Sequence, residues 1–501
     1  MAPQEDTTPT PSVPAKRHSH LLWWVLTLVL GAVLFFIGYT LGRAYPRVPT
    51  YLKDLPSIPE SERSLEDAVL GLEANRLDLA MMPAIPSSLG ATPEEYREAQ
   101  KQLYLLFTHC IQGSLMRAWP RDAKVRVGVP NPEAIQNSLG GEEDYFEDYL
   151  KTHCGWGWGD VRHSYHPFPS NQPLIWTQDA GEVVVNPASR QRTLYHSQTD
   201  QYYENYVAHL EDANLASRCL PPGVSCEGGD LEVVWGPDEK PLLMLGRHRV
   251  LRYVKTHRGV DGSKTPLRPE DIEEAKAAFS REFGMPVMVV PEKALAEPSK
   301  ACSELFHLDM VVSIMDPHDG GAPRAFVPTL SPGPVFDALF ERELDKSLVA
   351  SCRWELDAVA EQMAAQGYKV VRLPFSDHPV RTPVNFVKYR DPKTGRYKVL
   401  LSKFPATSPN AMDPTPQRYF NATLSQLRYA GEVWQRAGTP DAFHQFQRQI
   451  EITWRLLDEI SDQPCPTHEE CARLIRQEGF DVVSVPSFTF GSGGMHCQVL
   501  K

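Results

Sequence analysis

The last eleven residues of the chain, Gly491–Lys501, read GSGGMHCQVLK. A Gly-Ser-Gly-Gly run makes a poor interior for a helix or strand, but glycine, lacking a Cβ, lets backbone pass close to a ligand. His496 and Cys497 follow the run directly. A cysteine on a glycine-rich turn is either an exposed nucleophile or a stray thiol on a tail. The stretch alone leaves both open, and three acidic segments upstream bear on the choice.

Those segments are Trp176-Thr-Gln-Asp179, Glu227-Gly-Gly-Asp230 and His307-Leu-Asp309. Each places a reactive type of residue at a strand end or turn, and each alone is weak. WxxD is common, EGGD reads as an acidic turn, and HxD occurs in cores and metal sites. Together with Gly493–Cys497 they supply a thiol, an imidazole and several carboxylates. Nucleophilic thiol chemistry needs a thiolate and a nearby proton carrier. The extra carboxylates suit a planar cation, because a guanidinium carries five N–H donors in a fork that matches paired carboxylates.

The rest of the chain supplies the setting. Its 501 residues suggest about three domains at ~150 residues each, and 42% hydrophobic with 23% charged residues is ordinary for a globular protein. A formal net charge of −12 argues against nucleic acid as a partner and is compatible with a cationic substrate. No sequence-level repeat and no phosphate-binding loop is present.

Residues 1–20 read as a disordered tail, rich in Pro, Thr and Ser as far as Ala15. Leu21–Gly42 (LLWWVLTLVLGAVLFFIGYTLG) carries no charge and is long enough to cross a ~30 Å hydrocarbon core as a helix. It exceeds the ~7–15-residue apolar region of a signal peptide, so it is read as an uncleaved transmembrane anchor with the lipid bilayer as partner. Trp23, Trp24 and Tyr39 lie near its ends, as interfacial aromatics do. A single-pass membrane protein is therefore expected. Lys16 and Arg17 before the span and Arg43, Arg47 and Lys53 after it leave the orientation nearly tied. Cys219/Cys226 and Cys465/Cys471 have spacings that would close small disulfide loops. These favour an extracytoplasmic catalytic domain.

Residues 43–117 are read as a stalk and helical collar, with helices over Ser64–Arg76 and Pro93–Arg117. From residue 118 to 501 short apolar strands alternate with amphipathic helices, the mark of an α/β or α+β chain. Strands are predicted at Lys124–Val129, within Leu174–Val185, and at Leu231–Trp235, Leu242–Leu245, Val287–Val290, Leu308–Ile314 and Lys369–Leu373. Asn385–Tyr389 and Tyr397–Leu401 form a predicted hairpin, and Val482–Val485 a last strand. Helices are predicted over Glu142–Lys151, Arg268–Phe283, Ser347–Gln366, much of Arg418–Ile460, and Cys471–Glu478. Arg247 and Arg249, in LGRHR, are read as either a solvated basic turn or a carboxylate-binding pair.

Taken in order, the four segments resemble the guanidino-group-modifying enzymes of the pentein superfamily: arginine, agmatine and protein-arginine deiminases and amidinotransferases. EGGD at 227–230 and HLDMVVSIMD at 307–316 are most like arginine deiminase. WTQDAGEV at 176–183 and GGMHC at 493–497 are more like the protein-arginine and agmatine deiminases. The resemblance implies an α/β fold, a five-bladed propeller of ββαβ-type units, over residues 118–501. It implies that Cys497 attacks the guanidinium carbon and that Asp179 and Asp309 grip the guanidinium nitrogens. His307 would protonate the departing ammonia and then activate water against a covalent thiouronium intermediate, and Glu227 would orient His307 or the substrate. Trp176 is either a lid on the guanidinium plane or a core tryptophan, and Arg247 is a candidate for a substrate carboxylate. No cofactor or metal is expected. Some members depend on calcium, but no calcium loop is legible here. The chain departs from the pattern at Gln178, where many members carry arginine, and in the long interval from His307 to Cys497.

The reading is therefore a membrane-anchored guanidino hydrolase of deiminase type, acting on free arginine, agmatine or protein arginine. Two alternatives stay open on the same fold: an amidinotransferase using the same intermediate, and a catalytically silent, membrane-tethered binding protein. A metal-dependent hydrolase built on His307, Asp309, His318 and Asp319 is a further class, although no HExxH or CxxC motif supports it.

Overall fold

The computed structural model describes residues 79–82, 118, 124–129, 161–165, 181–185, 192–197, 215–238, 240–316, 321–330, 343–375, 382–391, 396–403, 426–427, 429–431, 433, 436–437, 439–462 and 466–485. The strands are β1 (Leu79–Met82), β2 (Lys124–Val129), β3 (Val161–Tyr165), β4 (Glu182–Val185), β5 (Arg192–Ser197), β6 (Leu215–Leu220), β7 (Leu231–Trp235), β8 (Pro241–Gly246), β9 (Val287–Val290), β10 (Ser313–Met315), β11 (Arg324–Leu330), β12 (Lys369–Phe375), β13 (Val387–Arg390), β14 (Tyr397–Ser402) and β15 (Asp481–Val485). They form five sheets of three strands, each consecutive in sequence. The first sheet is all parallel. Each of the other four pairs its first two strands antiparallel and its last two parallel.

This repetition has a local cause. Antiparallel neighbours need only a tight turn, whereas a parallel neighbour needs a long crossover, usually helical. Between β7 and β8 the chain turns at Gly236, whose N–H donates to the Lys240 carbonyl at 2.7 Å. Between β8 and β9 lie α1 (Arg247–Arg258) and α2 (Pro269–Phe283). α3 (Glu343–Ala365) joins β11 to β12, and α4 (Pro440–Asp462) with α5 (Pro466–Gln477) precedes β15. α2 shows why such segments are helical. Pro269 opens it, Glu270 and Asp271 face the positive end of its dipole, and Gly284 closes it at φ 70°. Ile272, Ala275, Phe279 and Phe283 fall at helical spacing on its buried side.

The apolar core is distributed. One cluster joins β7–β9 to α1 and α2, a second packs α3 on β10–β12, and a third seats α5 against β12 and β14. In the described residues the units are linked by polar side chains as well. Buried Lys388 of β13 pairs with Glu232 of β7 and donates to the Ile314 carbonyl of β10 at 2.6 Å.

Several expectations are corrected. The described strands make one small parallel sheet and four small mixed ones, no strand of one sheet pairs with a strand of another, and no closed or propeller-like sheet forms among them. The five-bladed propeller is therefore withdrawn in favour of small mixed sheets with helices. The anchor at 21–42 lies outside the described residues. Among the described residues no helix is long and apolar enough to cross a membrane. The longest, α3 and α4, have 23 residues each but carry charges throughout. The described residues thus give the transmembrane, signal-anchor and single-pass readings no span to rest on, and those readings are withdrawn. The region read as a helical collar contains strand β1, paired parallel with β2, and the helices expected at 64–76 and 93–117 lie outside the described residues. No disulfide joins Cys219 to Cys226, and Cys471 is likewise a thiol, while Cys465 lies outside the described residues. The disulfide argument for an oxidising compartment falls with them. The strand expected over 308–314 is instead a single 3-10 turn, Leu308–Met310, before the short β10.

Candidate active site

Two short turns, far apart in sequence, build the candidate site in the same way. After β6 the chain passes through Ser225 and Cys226 to Glu227, whose backbone is extended (φ −141°, ψ 114°). It then makes one 3-10 turn over Gly228–Asp230 and enters β7. His307 is likewise extended (φ −116°, ψ 151°) and is followed by the 3-10 turn Leu308–Met310. Ser197 of β5 fixes the entry to the first turn by donating its hydroxyl to the Cys226 carbonyl at 3.0 Å and accepting the Cys226 N–H at 2.7 Å.

The turns dock on each other. His307 Nε2 lies 3.2 Å from Glu227 Oε1, and the Leu308 N–H donates to Asp230 Oδ1 at 3.2 Å. The docking explains the glycines of EGGD. A Cβ on Gly229 would stand 2.5 Å from His307 Nδ1, so the turn admits no side chain there. Gly246, at the end of β8, is under the same constraint, since a Cβ would meet Asp230 Oδ1 at 2.1 Å. Close approach is the requirement at both positions. Asn385, buried just before β13, donates its Nδ2 to Asp309 Oδ2 at 2.8 Å, and the Phe306 ring meets the His307 ring edge-on at 4.6 Å.

A buried guanidinium holds the acidic turn. Arg249 of α1 reaches Glu227 Oε2 with Nη2 at 2.5 Å, donates Nε to Asp230 Oδ2 at 2.7 Å, and donates Nη1 to Ser225 Oγ at 3.2 Å. Burial alone would raise the Glu227 carboxyl. The His307 hydrogen bond and the Arg249 charge outweigh it and bring the group down to about 2, so Glu227 is a carboxylate at any physiological pH. Burial pushes the enclosed Asp230 carboxyl up, against the opposing charge of Arg249. Burial, followed by the Glu182 carboxylate, pushes the Cys226 thiol well up, which makes it a poor nucleophile despite its place beside Glu227.

Of the residues named from sequence, Glu227, His307 and Asp309 lie on these two docked turns. Asp179, Trp176 and Cys497 lie outside the described residues. Arg247 is elsewhere: it is buried and donates to Glu355 Oε1 at 2.7 Å and to the Cys302 carbonyl at 2.7 Å, so no substrate carboxylate is left to it. Neither arginine of LGRHR is a solvated turn, because both sit on the first turn of α1, 7% and 6% exposed. Sequence reasoning quoted Asp230 and Asn385 without giving them site roles. The available signal was that EGGD and HLDM each put a carboxylate within a turn beginning at an ionisable residue.

Among the described residues no three His, Cys, Asp or Glu side chains are grouped to hold a metal ion, and His318 and Asp319 lie outside them. No protein-family model matches the chain, and no curated protein matches it at a significant level.

Proposed function

We propose that the protein is a cysteine-dependent guanidino hydrolase of deiminase type, with a guanidinium-bearing substrate and Cys497 as nucleophile. The observation that supports this most is the hydrogen bond between Glu227 and His307, which joins two of the motifs that carry the resemblance across 80 residues of sequence. A carboxylate held ionised beside an imidazole favours the protonated ring. In that form His307 gives its proton to the leaving nitrogen, and once neutral it takes a proton from water. Asp309, buried and oriented by Asn385, supplies a carboxylate for the guanidinium N–H donors.

The chemistry balances. The Cys497 thiolate adds to the guanidinium carbon, the C–N bond breaks, and ammonia leaves with the proton from His307. Water then adds to the thiouronium carbon, the C–S bond breaks, and a ureido product and the thiolate result. The positive charge of the bound substrate and of a protonated His307 favours the thiolate over the thiol, whose free pKa of ~8.5 would otherwise dominate.

The test is incubation of the full chain with free arginine, agmatine and an arginine peptide, measuring ammonia and ureido product beside Cys497→Ala. Product from any one substrate that disappears in Cys497→Ala supports the reading and names the substrate class. Amidine appearing on an added amine, with no ammonia, would replace hydrolysis by amidino transfer. No turnover and no covalent labelling of Cys497 would remove the enzymatic reading.

A further inference from the structure

His248 is the second residue of α1, between Arg247 and Arg249. Both neighbours are already engaged, Arg247 by Glu355 and Arg249 by Asp230 and Glu227. His248 Nε2 is enclosed and has no hydrogen-bond partner among the described residues. A buried polar atom left unbonded costs about 1–3 kcal/mol, so apolar side chains serve better wherever the atom has no use. The ring lies within electrostatic reach of the candidate site, since it feels the charges of His307 and Glu227. Its helix begins at Gly246, whose backbone lies against Asp230, and its next residue grips Glu227.

We propose that His248 is a recognition residue of the guanidino site, its Nε2 accepting an N–H from the planar cationic group of the substrate. This rests on the function proposed above and adds a residue to it. The charge state suits the role. Burial first, then the cations of Arg247 and Arg249 and the nearby His307, lower the imidazole to about 3, while Glu227 pulls the other way. The ring therefore stays neutral. A neutral imidazole carries one N–H and one lone pair, so in the Nδ1–H tautomer Nε2 is an acceptor that does not repel a cation. Glu227 and Asp309 supply charge for the cation, and His248 supplies direction.

Two variants of the full chain separate recognition from packing. His248→Phe keeps a planar ring without polar atoms, and His248→Gln restores an acceptor. A hydrogen bond to a charged group contributes about 1.5–3 kcal/mol, so His248→Phe is expected to raise KM for the productive substrate ~10–100-fold and leave kcat within about threefold. His248→Gln recovers part of that loss. The urea midpoint of unliganded His248→Phe equals or exceeds the parent's, because an unbonded polar atom has been removed. A parent-like KM in His248→Phe overturns the inference while the deiminase reading stands. A lowered urea midpoint with parallel loss of kcat overturns it in favour of a packing role. A parent protein that turns over no arginine, agmatine or arginine peptide defeats both together.

Discussion

Arg247 and Arg249 leave the same turn of one helix, each is buried, and each meets a carboxylate, but the two clusters they form have different character. Arg247 and Glu355 are closed on all sides, with side chains 8% and 1% exposed, and their remaining bonds go to backbone at Cys302 and Leu305. Arg249 faces Asp230 in the interior, but its other carboxylate, Glu227, is 28% exposed and passes a hydrogen bond on to His307. Burial raises the Glu355 carboxyl, while His307 and Arg249 bring Glu227 down to about 2. One ion pair ties α1 to α3, and the other holds an ionised, partly exposed acid against His307. Burial of a charged pair does not mark function by itself. What marks it is a second partner that titrates.

The comparison breaks most visibly at Arg247. Arg247→Ala strands the enclosed Glu355 without its cation, and breaking a buried pair in this way costs about 3–5 kcal/mol. Chemical denaturation should show a loss of that size. If the protein folds at all at low temperature, its residual activity should retain the parent's pH profile, because the Glu227–His307 pair is untouched. A loss below about 1 kcal/mol would mean that the Arg247 cluster is not closed.

Much of the local structure was legible in the sequence, and the failures have physical causes. Short apolar runs marked the strands at Leu231–Trp235 and Leu242–Leu245, and a Gly-Pro-Asp turn joined them. A proline start and periodic Ile272, Ala275 and Phe279 marked α2. α1 was missed because RHRVLRYVKTHR is dominated by basic residues, which hide the helical spacing of Val250, Tyr253 and Val254. The Leu308–Met310 turn read as strand because it opens the mostly apolar run LDMVVSI, whereas the backbone N–H of Leu308 is taken by Asp230 and not by a neighbouring strand. The site was only half legible. EGGD and HLD were visible as motifs, but no periodicity shows that residues 80 apart face each other. Spacing suggested a Cys219–Cys226 disulfide, yet Cys226 is enclosed beside Ser197 while Cys219 is exposed.

Gly229 tests the docked turns without removing any charge. Gly229→Ala places a methyl where only 2.5 Å separates it from His307 Nδ1. The ring must move, and overpacking of this kind costs about 1–3 kcal/mol. Calorimetric or urea unfolding should show that modest loss, while turnover falls further than stability does, since the Glu227–His307 distance changes directly. Gly228→Ala serves as the adjacent control. Equal effects at the two glycines would mean that the turn as a whole, and not contact with His307, sets the requirement.

The smallest effect, and the sharpest probe of the open cluster, is in acid. Glu227 stands at about 2 in the fold against an ordinary 4.5, so its folded pKa is depressed. Its contribution is complete above pH 4.5 and is lost as pH falls from 4.5 towards 2, because the unfolded chain takes up the proton first. With a side chain 28% exposed, solvent screening reduces the effect to about 1–2 kcal/mol. His248 acts in the same direction between pH 6.5 and 3, since its ring is neutral in the fold and charges on unfolding. A single acid titration would mix the two. The difference between the parent and Glu227→Gln isolates the carboxylate: the gap in urea midpoint should be constant above pH 5 and close progressively below pH 4.5. A gap that persists unchanged to pH 3 would show that Glu227 does not gain its charge from Arg249 and His307, and the distinction between the two arginine clusters would then lie in packing alone.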